Sequence, residues 1–395
     1  MQNDMVQAIR LMSDFAERTG IGGGAESRRY LWTDAFALMN ALELYRETGG
    51  DGWGEMAADL IADVHGVLGR HHPDGPLTGW LSGLPEEKGV HHPTQGGLRI
   101  GKPLPERRLD APFDERLEWD RDGQYWHYLT KWMDALSRAA VLLDEPRYQQ
   151  HADELAEATF PGFLQRSAAG EPIGLAWKMS IDLSRPQVPG LSPQDALDGY
   201  VTFRWLGRAG AAAGSGDEIA ILRRLAEDQN WATADPLGLG GLLLDAVRLA
   251  LLSDREAEDE RLMASILAGA DAGCAHFLRS GTLGWPASRR LGFREMGLAI
   301  GLQALPAIAK TVGASERLQK TAAQHLGELQ RSADLGNRIV SFWSEPQNQR
   351  AATWTEHRDI NEVMLATALL DAYVGTAETG PVSKASPTVE RLYRA

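Results

Sequence analysis

The feature that most constrains the fold is a helical period of apolar residues, which recurs along the chain in paired segments. In the first segment the apolar side chains are three or four residues apart: Met5, Ile9, Met12 and Phe15. Residues 27–48 and 53–69 repeat the pattern on either side of the turn Gly-Gly-Asp-Gly at 49–52. Two helices joined by such a turn form an αα-hairpin.

The pairing continues through the rest of the chain, and the pattern predicts twelve helices, the number that six hairpins would give. The later segments are 122–144 with 146–165, 192–213 with a segment ending near 230, 239–252 with 256–279, 290–312 with 315–331, and finally 359–374. Ser192 and Pro193 suit the N-cap and first position of one of these helices. Residues 332–358 are predicted to be irregular. Within them, residues 338–343 are the only candidate for a β-strand, and they are otherwise an apolar loop. The predicted fold class is all-α.

One long segment interrupts the helical pattern. Residues 71–121 are rich in proline and glycine and show no helical period, and a connection of this length is far outside the usual range for a loop. Their apolar and aromatic content is unlike that of a flexible spacer. We therefore expect an ordered loop, about 71–121, that covers a site.

Composition excludes several classes of partner. The formal net charge of −14 disfavours nucleic acid and anionic membranes, which require clustered Lys and Arg. The single cysteine, Cys274, cannot form an intrachain disulfide and is expected to be a buried thiol. The chain start lacks the pattern of a secretory signal, and no apolar run approaches the roughly 20 residues that span a bilayer. We expect a cytoplasmic protein with no membrane partner.

Tryptophan is unusually frequent, with 12 in the chain, and several tryptophans stand beside charged residues at predicted helix starts. The richest of these stretches is 122–133, which contains Asp122, Tyr125, His127 and Lys131. On a helix beginning near residue 123, His127 and Lys131 lie on one face, where they suit hydroxyl or carboxylate groups of a ligand, or else form solvated surface. Asp122 is either a carboxylate at the rim of a site or a helix N-cap.

A second dense stretch, 354–361, places ionisable residues between Trp354 and an apolar helix. Packing alone does not explain this density, although Asp359 also suits a helix cap. Glu356 or Asp359 is a candidate general acid or base. His357 is a candidate substrate contact that would also adjust the pKa of that carboxyl group.

Further candidate substrate contacts come from three other helix entrances. They are Trp32 and Asp34, Trp177, and Arg294. Trp32, Tyr125, Trp177 and Trp354 would stack against a sugar ring, because the flat face of an aromatic side chain suits its C–H groups. Asp34 falls on an apolar helix face, so it is either a buried, hydrogen-bonded carboxylate or a ligand-binding one.

The sequence predicts no metal and no cofactor. Six of the ten histidines fall between His65 and His127, but adjacent histidines such as His91 and His92 do not easily ligate one metal, and no His-Glu-x-x-His motif occurs. The glycines around Gly96 lack the spacing of a phosphate-binding loop and follow no predicted strand.

The six predicted hairpins and the tryptophan-rich helix entrances resemble the six-hairpin, or (α/α)6 toroid, superfamily. Its members include glycoside hydrolases, unsaturated-glucuronyl hydrolases and N-acylglucosamine 2-epimerases. The resemblance implies one toroid domain, 1–375, followed by a loose tail, 376–395. It also implies that the inner helices direct their N-terminal ends into one funnel.

By this resemblance the expected function is that of a glycoside hydrolase acting on an oligosaccharide or other small sugar. Asp122 with Glu356 or Asp359 would be the carboxylate pair that protonates the leaving oxygen and activates water. The alternatives are a sugar epimerase or isomerase in which histidines move protons, and a non-catalytic scaffold that binds through its concave face. The linkage, the stereochemical outcome and the oligomeric state stay open.

Overall fold

The structure, a computed structural model, describes residues 2–24, 27–208 and 216–376. These residues are mostly helical, which confirms the all-α class. Their contacts divide the chain into two compact units, the N-terminal unit (Ala16–Ala226) and the C-terminal unit (Glu227–Glu378 with Met1–Phe15). The predicted tail, 376–395, lies outside the described residues apart from its first.

The first helix, α1 (Gln2–Thr19), crosses the boundary between the two ranges. The N-terminal unit contains α2 (Leu31–Thr48), α3 (Asp51–Leu68), α4 (Glu86–Gly89), α5 (Glu115–Asp120), α6 (Trp126–Leu142), α7 (Arg147–Phe163), α8 (Pro193–Gly207) and α9 (Gly216–Ala226). Its strands are β1 (Gln124–Tyr125), β2 (Leu164–Arg166), β3 (Pro172–Leu175) and β4 (Lys178–Met179).

Three helix pairs build the N-terminal unit: α2 with α3, α6 with α7, and α8 with α9. Helix α6 packs between α2 and α8, so these three helices form the inside of the unit. Every residue of α2 from Leu31 to Leu44 is buried, as expected for a helix covered on all sides. Gly49 ends α2 in the left-handed conformation, at a φ of 63° that suits glycine, and α3 returns directly after it.

Two short antiparallel ladders lie in the segments between helices. β1 pairs with β4, with Tyr125 opposite Lys178, and β2 pairs with β3. Both β3 and β4 lie in the segment 167–191 between α7 and α8. Asp122 was considered as a cap for a helix starting near residue 123, and this is wrong: because β1 occupies 124–125, α6 starts only at Trp126.

The long segment 71–121 is fastened to the helices of its own unit. Arg99 donates to the backbone carbonyls of Arg70 (2.5 Å) and Val67 (2.8 Å) and forms an ion pair with Asp122. The amide of Leu31, at the start of α2, donates to the carbonyl of Ile100 at 3.0 Å. The segment therefore reaches the N-terminal end of α2.

The C-terminal unit contains α10 (Pro236–Ala250), α11 (Ala257–Arg279), α12 (Gly292–Gln303), α13 (Leu305–Ala314), α14 (Glu316–Arg331), α15 (Asp334–Ser344), α16 (Ala352–Thr355), α17 (Arg358–Leu370) and α18 (Ala372–Gly375). Helix α12 packs against α10, α15 and α17, and α11 packs against α10 and α14. An added Cβ on Gly240 of α10 would lie 2.0 Å from the Gly297 carbonyl oxygen, so glycine permits the close crossing of α10 and α12.

Two sequence predictions for this unit are wrong. Residues 338–343 are neither strand nor loop but part of α15, because Leu335, Ile339 and Trp343 recur every four residues and bury one helix face. The predicted helix 290–312 is two helices, α12 and α13, that meet at Ala304.

Among the described residues, one stretch, Gly292–Ala314, is long and apolar enough to cross a membrane. It consists of α12 and α13, and 61% of its apolar 18-residue window is buried inside the structure. A core helix pair of a soluble protein has the same properties, so the stretch is weak support for a membrane span.

Candidate functional site

The N-terminal ends of α2 and α6, and the residue before β4, contribute side chains to one cluster in the N-terminal unit. We call it the aromatic cluster, and it consists of Tyr30, Trp32, Tyr125, His127, Tyr128 and Trp177. Trp32 and Tyr125 are buried, whereas the other four members are half-buried. Solvent therefore reaches one side of the cluster while its other side belongs to the core.

His127 lies at the centre of the aromatic cluster. Its ring stacks on Tyr125, with centroids 5.3 Å apart and planes inclined by 23°, and meets the edge of Trp32 at 6.0 Å. Trp177 lies 5.6 Å from Tyr125. The pairing of β1 with β4 explains this last contact, because it sets Tyr125 opposite Lys178, the residue after Trp177.

Three buried polar atoms in and beside the aromatic cluster have no hydrogen-bond partner in the described part of the chain: Trp32 Nε1, His127 Nδ1 and Asp195 Oδ2. His127 Nδ1 lies 3.4 Å from Asp195 Oδ1, which is within ion-pair range but not aligned as a hydrogen bond. The side chain of His127 is 26% exposed, whereas that of Asp195 is only 6% exposed. An imidazole and a carboxylate with unused hydrogen-bonding capacity therefore face each other at the edge of solvent.

A buried cation supports the cluster near Tyr125. Lys178 Nζ lies 5.8 Å from the Tyr125 ring centroid and donates to Glu118 Oε1 (3.1 Å) and to the Arg121 carbonyl (2.9 Å). Burial lowers the pKa of Lys178, and the neighbouring Glu118 opposes that shift. Burial also raises the pKa of the Tyr125 hydroxyl, and Tyr30, Glu118 and Asp122 add to the effect, so Tyr125 stays protonated at neutral pH.

Lys131 was predicted to contact substrate beside His127. The structure places it in a buried ion pair, with Nζ 2.7 Å from Asp198 Oδ1, and both side chains are 5% exposed. Thr130 also donates to the Asp198 carboxylate. These contacts tie α6 to α8 directly behind His127.

Asp34 and Asp122 are likewise engaged by protein groups. Asp34 pairs with Arg29 at 3.2 Å and accepts from the Tyr30 amide at 2.8 Å, which closes the first turn of α2. Asp122 is 0% exposed, pairs with Arg99, and accepts from the amides of Gly101 (3.0 Å), Lys102 (3.3 Å) and Gly123 (3.1 Å). Both carboxylates hold the backbone that leads into the cluster.

The remaining predicted site residues belong to the C-terminal unit. Trp354 is buried and stacks on Trp343 at 5.4 Å with planes 25° apart. The Trp343 indole donates to Glu295 at 2.9 Å, and Glu295 forms a two-pronged ion pair with Arg290. Trp354 is therefore part of a buried aromatic and ionic core.

Around the start of α17 the predicted residues are more accessible. Glu356 and His357 are exposed, Asp359 is half-buried, and the His357 ring lies 5.6 Å from Phe293. Arg294 forms a half-exposed ion pair with Asp235 at 2.8 Å. The buried Asn361 links the two neighbouring segments, since it accepts from the Phe293 amide at 2.7 Å and donates to the Trp354 carbonyl at 3.0 Å.

Sequence reasoning missed Tyr128 of the aromatic cluster and Asp195, which lies beside His127. Asp195, three residues after the predicted N-cap Ser192, was not a candidate site residue, although the other candidates were sought at helix starts of this kind. Tyr128 was not singled out, yet its hydroxyl lies 2.7 Å from that of Tyr30. Both residues lie at the N-terminal end of α6 or α8, so a search of all helix entrances would have found them.

Within the described residues, no group of three or more His, Cys, Asp or Glu side chains is arranged to hold a metal ion. Comparison with known proteins adds no family to these observations. No family model matches the chain, and no curated protein sequence is significantly similar to it. The function must be inferred from the residues themselves.

Proposed function

We propose that this chain is a carbohydrate-active enzyme of the (α/α)6 toroid type, whose sugar site is the aromatic cluster. Paired helices in each unit, with α2, α6 and α8 buried in one and α10, α12 and α17 largely buried in the other, support the toroid part of the proposal. The substrate would be a small sugar or oligosaccharide, with no nucleic acid or membrane as partner.

One observation carries the site assignment: the three unsatisfied buried atoms Trp32 Nε1, His127 Nδ1 and Asp195 Oδ2. Most buried polar atoms in proteins are hydrogen-bonded, and an unsatisfied one costs about 1–3 kcal/mol. Sugar hydroxyls both donate and accept, so one bound ring would satisfy an indole N–H, an imidazole nitrogen and a carboxylate oxygen together. The neighbouring aromatic rings would pack on its C–H faces.

The reaction that this arrangement favours is proton transfer by histidine, as in a sugar epimerase or isomerase. An imidazole titrates near neutral pH, and a carboxylate beside one ring nitrogen orients the ring and stabilises its protonated form. Asp195 Oδ1, 3.4 Å from His127 Nδ1, would stabilise the protonated ring by its charge, while a sugar hydroxyl contacts Nδ1. Nε2 would then take a proton from the carbon beside the sugar carbonyl and return it to the former carbonyl carbon, as in an isomerase.

Glycoside hydrolysis is the second candidate. It was the first expectation from the sequence, and the accessible carboxylates Glu356 and Asp359 at the start of α17 support it. Asp122 is a poor partner for them, because Arg99 and three amides already engage its carboxylate. A non-catalytic sugar-binding scaffold is the third candidate.

The test separates these candidates by their products. Incubation of the protein with hexoses, N-acylhexosamines and sugar acids in D2O, followed by NMR, reports proton exchange at carbon 2. Release of reducing ends from oligosaccharides reports hydrolysis. For the epimerase, His127→Gln should lower the exchange rate by roughly 10²–10⁴-fold. The matched control His276→Gln, on the exposed surface of α11, should exchange like the wild type.

Each alternative has its own signature in the same experiment. Reducing-end release that is lost in Glu356→Gln or Asp359→Asn and kept in His127→Gln would establish the hydrolase in place of the epimerase. Sugar binding without exchange or hydrolysis would establish the scaffold. Exchange that survives in His127→Gln would refute the assigned role of the imidazole.

A further inference from the structure

A cavity in the N-terminal unit, of about 810 Å³, lies among α3, α7 and the segment that contains Trp80 and His91. Its volume is within the usual range for small-molecule sites, about 300–1,000 Å³. The side chains that define it are His65, Arg70, Trp80, His91, Arg147 and His151. No residue of the aromatic cluster lines it, so it is a separate feature of this unit.

Two buried histidines form the inner side of this cavity, with ring centroids 5.1 Å apart. His65 Nε2 accepts from the Trp132 indole at 3.2 Å, and burial holds the pKa of His65 well below its usual value. Burial also lowers the pKa of His151. Both rings are therefore neutral at physiological pH, and each has one donor and one acceptor nitrogen.

The contacts of His151 fix which of its nitrogens is the acceptor. Its Nε2 lies 3.3 Å from the carbonyl oxygen of His91, and a carbonyl only accepts, so Nε2 carries the proton. Nδ1 is then an acceptor, and it is buried with no hydrogen-bond partner in the part of the chain that the structure describes. His151 is 8% exposed, so solvent does not readily supply the missing donor.

Two arginines, Arg70 and Arg147, and one exposed carboxylate, Asp59, also line the cavity. Arg147 has a side chain that is 61% exposed, and its contacts with Glu145 and the Tyr148 hydroxyl are both long, at 3.4 Å. Arg70 lies over the Trp80 ring at 4.0 Å and pairs with Glu86. Arg147 is thus the guanidinium with the weaker existing contacts, and it can exchange them for a stronger charge-assisted pair.

We propose that this cavity binds a hydroxyl-bearing organic anion, such as a sugar phosphate or a sugar acid. The anionic group pairs with Arg147 at the outer side, and a hydroxyl group donates to His151 Nδ1 at the inner side. Apolar faces of the ligand pack against Tyr148 and Trp80. The two polar requirements act together, so neither a simple anion nor a neutral sugar satisfies the site.

Gly66 offers a way to close the cavity without disturbing its walls. It lines the cavity from within α3, and a Cβ added to it would meet nothing within 4 Å. Gly66→Leu therefore fills the space with a side chain that also favours the helix, so the variant should fold. Gly52→Leu is the matched control, since Gly52 lies in the same helix, also faces open space, and does not line the cavity.

The test is isothermal titration of the full-length protein with glucose 6-phosphate and, separately, gluconate. Wild type and Gly52→Leu should bind at least one of them, and the tighter of the two identifies the phosphate or the carboxylate as the preferred anion. Gly66→Leu should bind that ligand about tenfold more weakly or worse, and inorganic phosphate and glucose should each bind about tenfold more weakly to the wild type.

Arg147→Gln should weaken binding and reduce its dependence on salt, whereas Arg116→Gln, an exposed arginine outside the cavity, should not. His127→Gln should bind as the wild type does, which separates this cavity from the aromatic cluster. Equal binding by Gly66→Leu and the wild type would overturn the proposal. So would equal affinity for glucose and glucose 6-phosphate, or no binding of either probe to the wild type.

Discussion

Asp122 is predicted to be a structural carboxylate, and replacing it with asparagine should destabilise the N-terminal unit. The change keeps the shape of the side chain but removes the charge opposite Arg99, whose own side chain is 4% exposed. Breaking a buried ion pair from one side costs about 3–5 kcal/mol, because the remaining charge is left without compensation. At about 2–4 °C per kcal/mol, the unfolding midpoint should fall by about 6–20 °C.

Thermal unfolding followed by circular dichroism measures this shift. Asp120→Asn is the matched control, because Asp120 is exposed and only two residues away, and its midpoint should stay within about 2 °C of the wild type. The double variant Arg99→Met with Asp122→Asn should lose less stability than the two single changes added together. A wild-type midpoint for Asp122→Asn, combined with lost turnover, would show that the carboxylate is catalytic and that the structural reasoning is wrong.

Two further predictions concern buried and half-buried carboxylates. Glu295→Gln should cost about 3–5 kcal/mol in urea unfolding, because it removes the charge opposite Arg290 in the core of the C-terminal unit; a loss below about 1 kcal/mol would count against this account. Burial raises the pKa of Asp153 to about 6 from 3.8, so its contribution to stability is present at pH 4 and is lost as pH rises through 6. Relative to the wild type, the free energy of unfolding of Asp153→Asn should therefore rise by about 1 kcal/mol from pH 4 to pH 8, after allowance for partial exposure. A fall over the same pH range would contradict this prediction.

The sequence predicted helices well where an apolar face lies opposite a solvent-exposed one, or where glycine marks a turn. The hairpin of α2 and α3 is an example, since Gly49 lies where the pattern predicted the reversal. It failed at α15, where four apolar residues in the stretch 338–343 suggested a β period. The helical recurrence of Leu335, Ile339 and Trp343 appears only in a window that extends beyond this stretch, and the helix packs against α12 and α17.

The candidate site could be predicted only in part. Helix entrances identified Trp32, Tyr125, His127 and Trp177, which the structure brings together. The roles of Lys131 and Asp122 depended on partners distant in sequence, Asp198 and Arg99, and no local pattern reveals such partners.

The most direct test of the sugar site is a crystal structure of the protein soaked with a sugar that raises its unfolding midpoint. We expect a sugar ring on the aromatic cluster, with hydroxyl groups about 2.7–3.2 Å from Trp32 Nε1, His127 Nδ1 and Asp195 Oδ2. This expectation would be contradicted by a sugar bound elsewhere, or by an unliganded crystal structure in which protein groups already satisfy those three atoms.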